Sequence, residues 1–314
     1  MTMENGENLK DLDHQEIASL LYEASYLVES QIVGQKDEGV CTWWAKKNAF
    51  RHAFTAASLH QFAQTRAGRP ITIFNLSGLS CGHQDFALCG FLRKSGIPFK
   101  YVALEHPSSP YLSMPVFKDQ VELHGIQIIF ADLRELRAEE LVRQTGTPDV
   151  ILFTEIAEHL EHSALLKAFQ AMSTLLADDG FVVLTTPNMD YWRYRLRHLI
   201  GRPASHWGEG LDNMAFGLFG HIVYYGIPRL RHLLADCGLQ VSKARTFNFP
   251  CCTPGQSALA GYRERIGIGV TNTLISAGEH LWRFPSLMEA TRTLGEVIYL
   301  EARKGPRQEI PFAL

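Results

Sequence analysis

Between Ile71 and Asn188, apolar and polar positions are arranged in blocks rather than singly. Short apolar runs predict strands over Ile71–Leu76, Phe99–Leu104, Gln127–Ala131, Asp149–Phe153 and Gly180–Thr185. A strand covered on both faces needs such a run, whereas a strand wetted on one face alternates. Stretches of helical length separate the runs, with helices predicted over Gln84–Ser95 and Ser163–Leu176. This alternation predicts right-handed crossovers and helices on both faces of one sheet. The strands end on small or acidic residues: Asn75-Leu-Ser-Gly78, Glu105, Asp132 and Glu155. In an open sheet of this kind the ligand crevice lies beyond the carboxyl ends of the strands.

Two helices are predicted upstream. Ile17, Leu20, Leu21, Ala24, Leu27 and Val28 recur at helical spacing over residues 14–33, with Asp13 as cap, Glu16 three residues on and Gly34 as stop. Thr42 is placed to cap a second helix that runs to Arg66 and stops at Gly68. Its buried face is predicted to hold Trp44, Phe50, Phe54, Ala57 and Phe62. Beyond Asn188 the regularity breaks, and residues 189–226 and 248–290 read as irregular insertions. A helix over Ile227–Cys237 starts at Pro228 and stops at Gly238. Strands over Leu239–Phe247 and Gly295–Arg303 are expected to pair antiparallel and close one edge. The fold predicted is α/β, a doubly wound, mostly parallel seven-stranded sheet. It divides into an N-terminal helical cap (1–68), a core (69–188), insertions with strand six (189–294) and a last strand with tail (295–314).

The chain has 314 residues, 46% hydrophobic and 20% charged, with a net charge of −3. That composition is globular and gives no general attraction to nucleic acid or an anionic membrane. The N-terminus is polar and acidic, unlike a signal peptide, and no apolar run approaches a membrane span. The six cysteines lack metal or disulfide spacing. A cytoplasmic location with reduced thiols is expected.

The small residues of the first turn, Asn75 to Gly82, let backbone approach a ligand. Glu105 is placed to accept both hydroxyls of a ribose. Asp132 either accepts from an adenine amino group or caps a helix beginning at Leu133. A nicotinamide oxidoreductase would share the sheet and Glu105 but needs G-x-G-x-x-G after strand one, and the turn lacks that spacing. A non-catalytic binding protein would keep the sheet but need no polar cluster at strand four.

The series resembles the class I S-adenosylmethionine-dependent methyltransferases. It is most similar to the branch with Glu155-Ile-Ala-Glu158-His159 after strand four, Thr185-Thr-Pro-Asn188 after strand five and a His or aromatic at His221 before the next helix. The resemblance implies S-adenosylmethionine as cofactor. It implies that Asn75, Ser77 and Gly78 line the methionine moiety, that Glu105 binds the ribose, and that Asp132 and Leu133 meet the adenine. Phe153 and Thr154 would flank the sulfonium. The family has Gly-x-Gly-x-Gly where Ser77, Leu79 and Cys81 fall, so Gly78 and Gly82 stand out of that register and the turn reads as one residue longer.

Glu155, Glu158 and His159 are spaced i, i+3 and i+4, which on a helix shares one face. Three readings follow. One makes His159 or a glutamate the general base for the methyl acceptor. A second joins the three with His221 as a divalent-metal site, as in some relatives. In the third they are only the acidic start of a helix. A small-molecule acceptor is expected, methylated on oxygen, with carbon or nitrogen as alternatives. Lys46, Lys47, Arg51 and His52, and the stretch Tyr191–His198 with Arg202, read either as solvated faces or as binders of an anionic group on that acceptor.

Overall fold

The computed structural model describes residues 14–191, 222–247, 295 and 297–306. Its helices are α1 (His14–Leu27), α2 (Glu38–Thr65), α3 (His83–Lys94), α4 (Pro115–His124), α5 (Ala138–Thr145), α6 (His162–Leu175) and α7 (Ile227–Asp236). Its strands are β1 (Ile71–Asn75), β2 (Phe99–Glu105), β3 (Gln127–Phe130), β4 (Val150–Thr154), β5 (Phe181–Pro187), β6 (Leu239–Phe247) and β7 (Val297–Lys304). The strand order is β3-β2-β1-β4-β5-β7-β6. β7 runs antiparallel to both β5 and β6, and β6 forms the edge. The doubly wound, mostly parallel seven-stranded sheet is therefore the one expected. Among the described residues no helix is long and apolar enough to cross a membrane.

The chain divides into two compact units, Met1–Leu152 with Leu175–Gly180, and Phe153–Thr174 with Phe181–Leu314. In the first, β1 pairs parallel with β2 and with the start of β4. Ile73, Phe74, Tyr101, Val102 and Ile151 are fully buried there, as a strand covered on both faces requires. Arg66, just past the end of α2, donates to Asp149 and to both carboxylate oxygens of Asp179, and Asp149 also accepts from the backbone N–H of Thr72. One guanidinium thus ties the helical cap to the starts of β1 and β4.

The two upstream helices differ from expectation in detail. α2 is capped by Asp37, whose side chain accepts from the N–H of Val40, so Thr42 lies inside the helix. A carboxylate one turn earlier takes the capping role because it also favours the positive helix end. The buried face of α2 carries Cys41, Ala45, Ala49, Ala53, Ala56 and Leu59. Phe54 and Phe62 are buried as predicted, but Trp44, Phe50 and Ala57 are only half-buried. α1 continues into a π-helical turn, Val28–Ile32, before Gly34 ends it in the left-handed region. The cap expected at Asp13 lies outside the described residues.

In the second unit, Phe153 and Phe169 meet edge to face at 5.8 Å, and Phe247 packs on Tyr299 at 5.7 Å. These rings, with Phe181, Leu184, Leu230 and Leu300, form its core.

Candidate functional site

The turn after β1 is built by its own side chains. Asn75 Oδ1 accepts from the N–H of Ser77, and Asn75 Nδ2 donates to the carbonyl of Gly78 and to Asp85 Oδ1. Tyr101 donates to the same Asp85 oxygen at 2.6 Å. Both N–H groups of the Asn75 amide and one lone pair of its oxygen are therefore engaged in shaping the turn. Positive φ falls at Gly78 (82°), Ser80 (49°) and Gly82 (85°). The left-handed positions thus recur at every second residue, one place later than the Ser77, Leu79, Cys81 register, with Ser80 in the middle. At Gly82 a Cβ would meet the Phe86 ring at 2.2 Å, so glycine is required for space as well as for backbone.

Glu105 closes the turn from β2. Its Oε2 accepts from the N–H of Leu79 at 2.8 Å and its Oε1 from the N–H of His106 at 2.9 Å. Each carboxylate oxygen has a second lone pair, so a fixed, 7% exposed carboxylate retains acceptor capacity for two hydroxyls. Gly78 stands beside it, and a Cβ there would make ordinary contact with Glu105 Oε2 at 3.5 Å. Asp132 accepts from the backbone N–H and the guanidinium of Arg134, and it is the N-cap of a short 3-10 turn, Leu133–Glu135. The Arg134 hydrogen bonds hold its carboxyl down at about 2. Leu133 is half-buried at the start of that turn.

The Glu-x-x-Glu-His stretch does not form one helical face. Glu155 takes a left-handed conformation (φ 53°), Ala157–His159 form one 3-10 turn, and α6 starts only at His162. Glu155 accepts from the Thr185 hydroxyl at 2.7 Å and donates its N–H to the Thr185 carbonyl. Glu158 accepts from the Thr186 hydroxyl at 2.8 Å. Successive residues of β5 point to opposite faces, so these carboxylates are held apart rather than made to converge. His159 Nε2 lies 3.9 Å from Glu158 Oε1, and its side chain is 24% exposed against 1% for Glu158. Glu155 and His159 are thus half-buried, whereas Glu158 is buried. Phe153 is fully buried against Phe169, and Thr154 is half-buried at the end of β4. Among the described residues no group of three His, Cys, Asp or Glu could hold a metal ion, and the expected fourth ligand, His221, lies outside them. The described members of that ligand set do not fit a metal centre.

A family model described as a methyltransferase domain matches residues 80–244, more than half of the chain. The chain belongs to this methyltransferase family. No curated protein matches the sequence. Solved structures are similar at low identity. A methyltransferase dependent on S-adenosylmethionine from Archaeoglobus fulgidus is 11% identical, with 81% of this chain and 94% of that one covered and a TM-score of 0.43. For the 1,6-didemethyltoxoflavin N1-methyltransferase of Burkholderia thailandensis the values are 13%, 96%, 94% and 0.45. For magnesium protoporphyrin IX methyltransferase of Synechocystis PCC 6803 they are 11%, 93%, 100% and 0.47.

Three sets of polar side chains that partner the predicted residues, or lie buried near them in the same unit, went unread in the sequence. Asp85 and Tyr101 complete the Asn75 network, and the only signal was an acidic residue in the first turn of α3. Thr185 and Thr186 stood in a recognised motif, without a role. Tyr225 is fully buried, and its hydroxyl has no hydrogen-bond partner among the described residues. Burial raises its pKa, with Arg229 lowering it and Glu158 raising it further. His52, grouped with the basic cluster, is instead buried, and burial drives its pKa well down, with Arg51 and His83 adding to the effect. It is a neutral core imidazole. Lys47 lies over the rings of Trp43 and Trp44 at 5.3 and 5.0 Å. Of the stretch Tyr191–His198 only Tyr191, buried, is among the described residues.

Asp85 gives the methyltransferase a pH signature. Burial raises its pKa to about 6, against lowering hydrogen bonds from Tyr101 and Asn75. The unfolded chain, at an ordinary 3.8, loses this proton first. Between those values the native state binds more protons, so stability falls as pH rises, by on the order of 2–3 kcal/mol in all. Asp85→Asn keeps an oxygen acceptor for both partners and removes the titration. Thermal melts at pH 4.5 and pH 8 should show the variant gaining on the parent at the higher pH. An equal difference at both values would exclude Asp85 as the titrating group.

Proposed function

We propose that the turn Leu76–Gly82 and Glu105 hold S-adenosylmethionine and that the methyl group passes to a small-molecule acceptor. The observation that carries this reading is Glu105, a nearly buried carboxylate at the carboxyl end of β2, fixed by two backbone N–H groups with lone pairs to spare. In this reading it accepts both ribose hydroxyls. Ser77 and Gly78 line the methionine moiety along backbone that Asn75 shapes from within. Leu133 meets the adenine, and the carboxylate of Asp132, kept ionised by Arg134, accepts from its amino group. Thr154 and the backbone of Phe153 flank the sulfonium.

The reaction is an in-line displacement. An acceptor oxygen attacks the methyl carbon, the carbon–sulfur bond breaks, and S-adenosylhomocysteine leaves with the electron pair. The protein contributes position and exclusion of water. A proton must leave the acceptor, and His159, half-buried and next to the buried carboxylate of Glu158, is the base we assign. Nitrogen or carbon acceptors use the same displacement.

The test is incubation of the protein with methyl-labelled S-adenosylmethionine and a fractionated cell extract. Label is expected in a low-molecular-mass fraction, on an oxygen identified by mass spectrometry. Label found only in protein or nucleic acid would overturn the small-molecule assignment.

A further inference from the structure

One ion pair with a buried carboxylate and a half-buried imidazole lies outside the groups assigned to the reaction, at the far end of the turn. Glu29 sits in the π-helical turn after α1 and is 4% exposed. Its Oε1 accepts from Asn48 Nδ2 of α2 at 3.1 Å and lies 3.0 Å from His83 Nε2. His83 is the first residue of α3, directly after Gly82, and it also hydrogen-bonds the Cys81 side chain. Asn48 Nδ2 stands 3.5 Å from the other ring nitrogen. π-turns are rare insertions that re-aim side chains and recur at functional sites. This one carries a carboxylate inward, where its charge is costly unless paired.

A pair of this kind is weak evidence for stability, since apolar residues would serve as well or better. What it supplies is placement. The turn has three anchors. Asn75 shapes its start and Glu105 holds its middle through the Leu79 N–H. Its exit is held by the N-terminal helices, through Glu29, Asn48 and His83.

We propose that Glu29 and His83 form a latch by which the N-terminal helices hold the donor turn in its binding conformation, making both positioning residues for donor affinity. The proposal rests on the reading of this turn as the donor site. The groups facing the His83 ring are Glu29 from the π-turn, Asn48 and the neutral His52 from α2, and Cys81 from the turn itself, with Arg51 next to His52. Burial disfavours the charged ring, but Cys81 and Glu29 outweigh it and raise its pKa to about 9. The latch is therefore closed at neutral pH and opens as pH rises through about 9. Because linkage is reciprocal, bound donor also tightens the docking of the helices.

The test is calorimetric titration of S-adenosylhomocysteine into the full-length parent, Glu29→Gln, His83→Gln and the double variant, from pH 7 to pH 10. At pH 7 each single variant should bind about tenfold more weakly, and the double variant no more weakly than either. The parent should lose affinity toward pH 10 more steeply than the variants, which share any titration of the ligand's own amino group. Parental affinity in folded variants, or parallel pH profiles, would overturn the latch. Should the variants fail to fold, amide exchange of Leu79–His83 in the parent decides: exchange, corrected for its intrinsic pH dependence, must rise across pH 9, and a flat profile overturns it. Absence of parental binding at pH 7 would instead overturn the donor reading itself.

Discussion

Replacing Glu105 with alanine is expected to weaken S-adenosylmethionine binding by roughly 10²–10⁴-fold, the loss of two hydrogen bonds to a buried charge. The substitution acts twice. It removes the acceptor for the ribose hydroxyls, and it strands the N–H groups of Leu79 and His106, which the carboxylate now satisfies. Glu105→Gln separates the two effects, because its amide keeps one acceptor oxygen and should bind with intermediate affinity. Calorimetry on variants shown by circular dichroism to be folded reads the result. Unchanged affinity in folded Glu105→Ala would remove this residue from the donor site.

The second large effect belongs to His159. His159→Ala should lower kcat at saturating donor and acceptor by about 10²–10⁴-fold, the usual cost of losing a general base. Donor affinity should not change, since the part assigned to the ring is removal of the acceptor's proton. Loss of donor affinity in step with kcat would assign His159 to binding. Full activity would leave the His159 ring without a part in proton transfer. Glu158→Gln retains an acceptor for the Thr186 hydroxyl but loses the charge beside His159, so its loss of kcat should be smaller.

The sheet was legible because buried parallel strands must be apolar on both faces, and five unbroken runs stood out against polar surroundings. β1 ends at Asn75, one residue before the predicted limit, and β4 starts at Val150, one residue after its predicted start. The face of α2 was not legible. Aromatic residues weigh most in a hydrophobic pattern, but alanines let one helix approach another closely, and α2 buries four of them beside Phe54 and Phe62 while Trp44 and Phe50 stay half-buried. The Glu155–His159 pattern misled for a related reason. Its i, i+3, i+4 spacing carries geometry only if the backbone is helical, and Glu155 is left-handed while the next turn is 3-10. Such a conformation in a non-glycine residue persists only where the surroundings fix it, here through both groups of Thr185. The turn register shows the same limit. Gly78 and Gly82 were visible, but Ser80 joins them in the left-handed region, where serine gives no signal. The pairing of Glu29 with His83 joins positions far apart in the chain, and no local rule brings them together.

A crystal structure of the protein with S-adenosylhomocysteine tests the donor site most directly. The account predicts the ribose hydroxyls on the two oxygens of Glu105 and the methionine moiety along Ser77 and Gly78. A nucleoside bound elsewhere, with Glu105 still engaged only by Leu79 and His106, would contradict it.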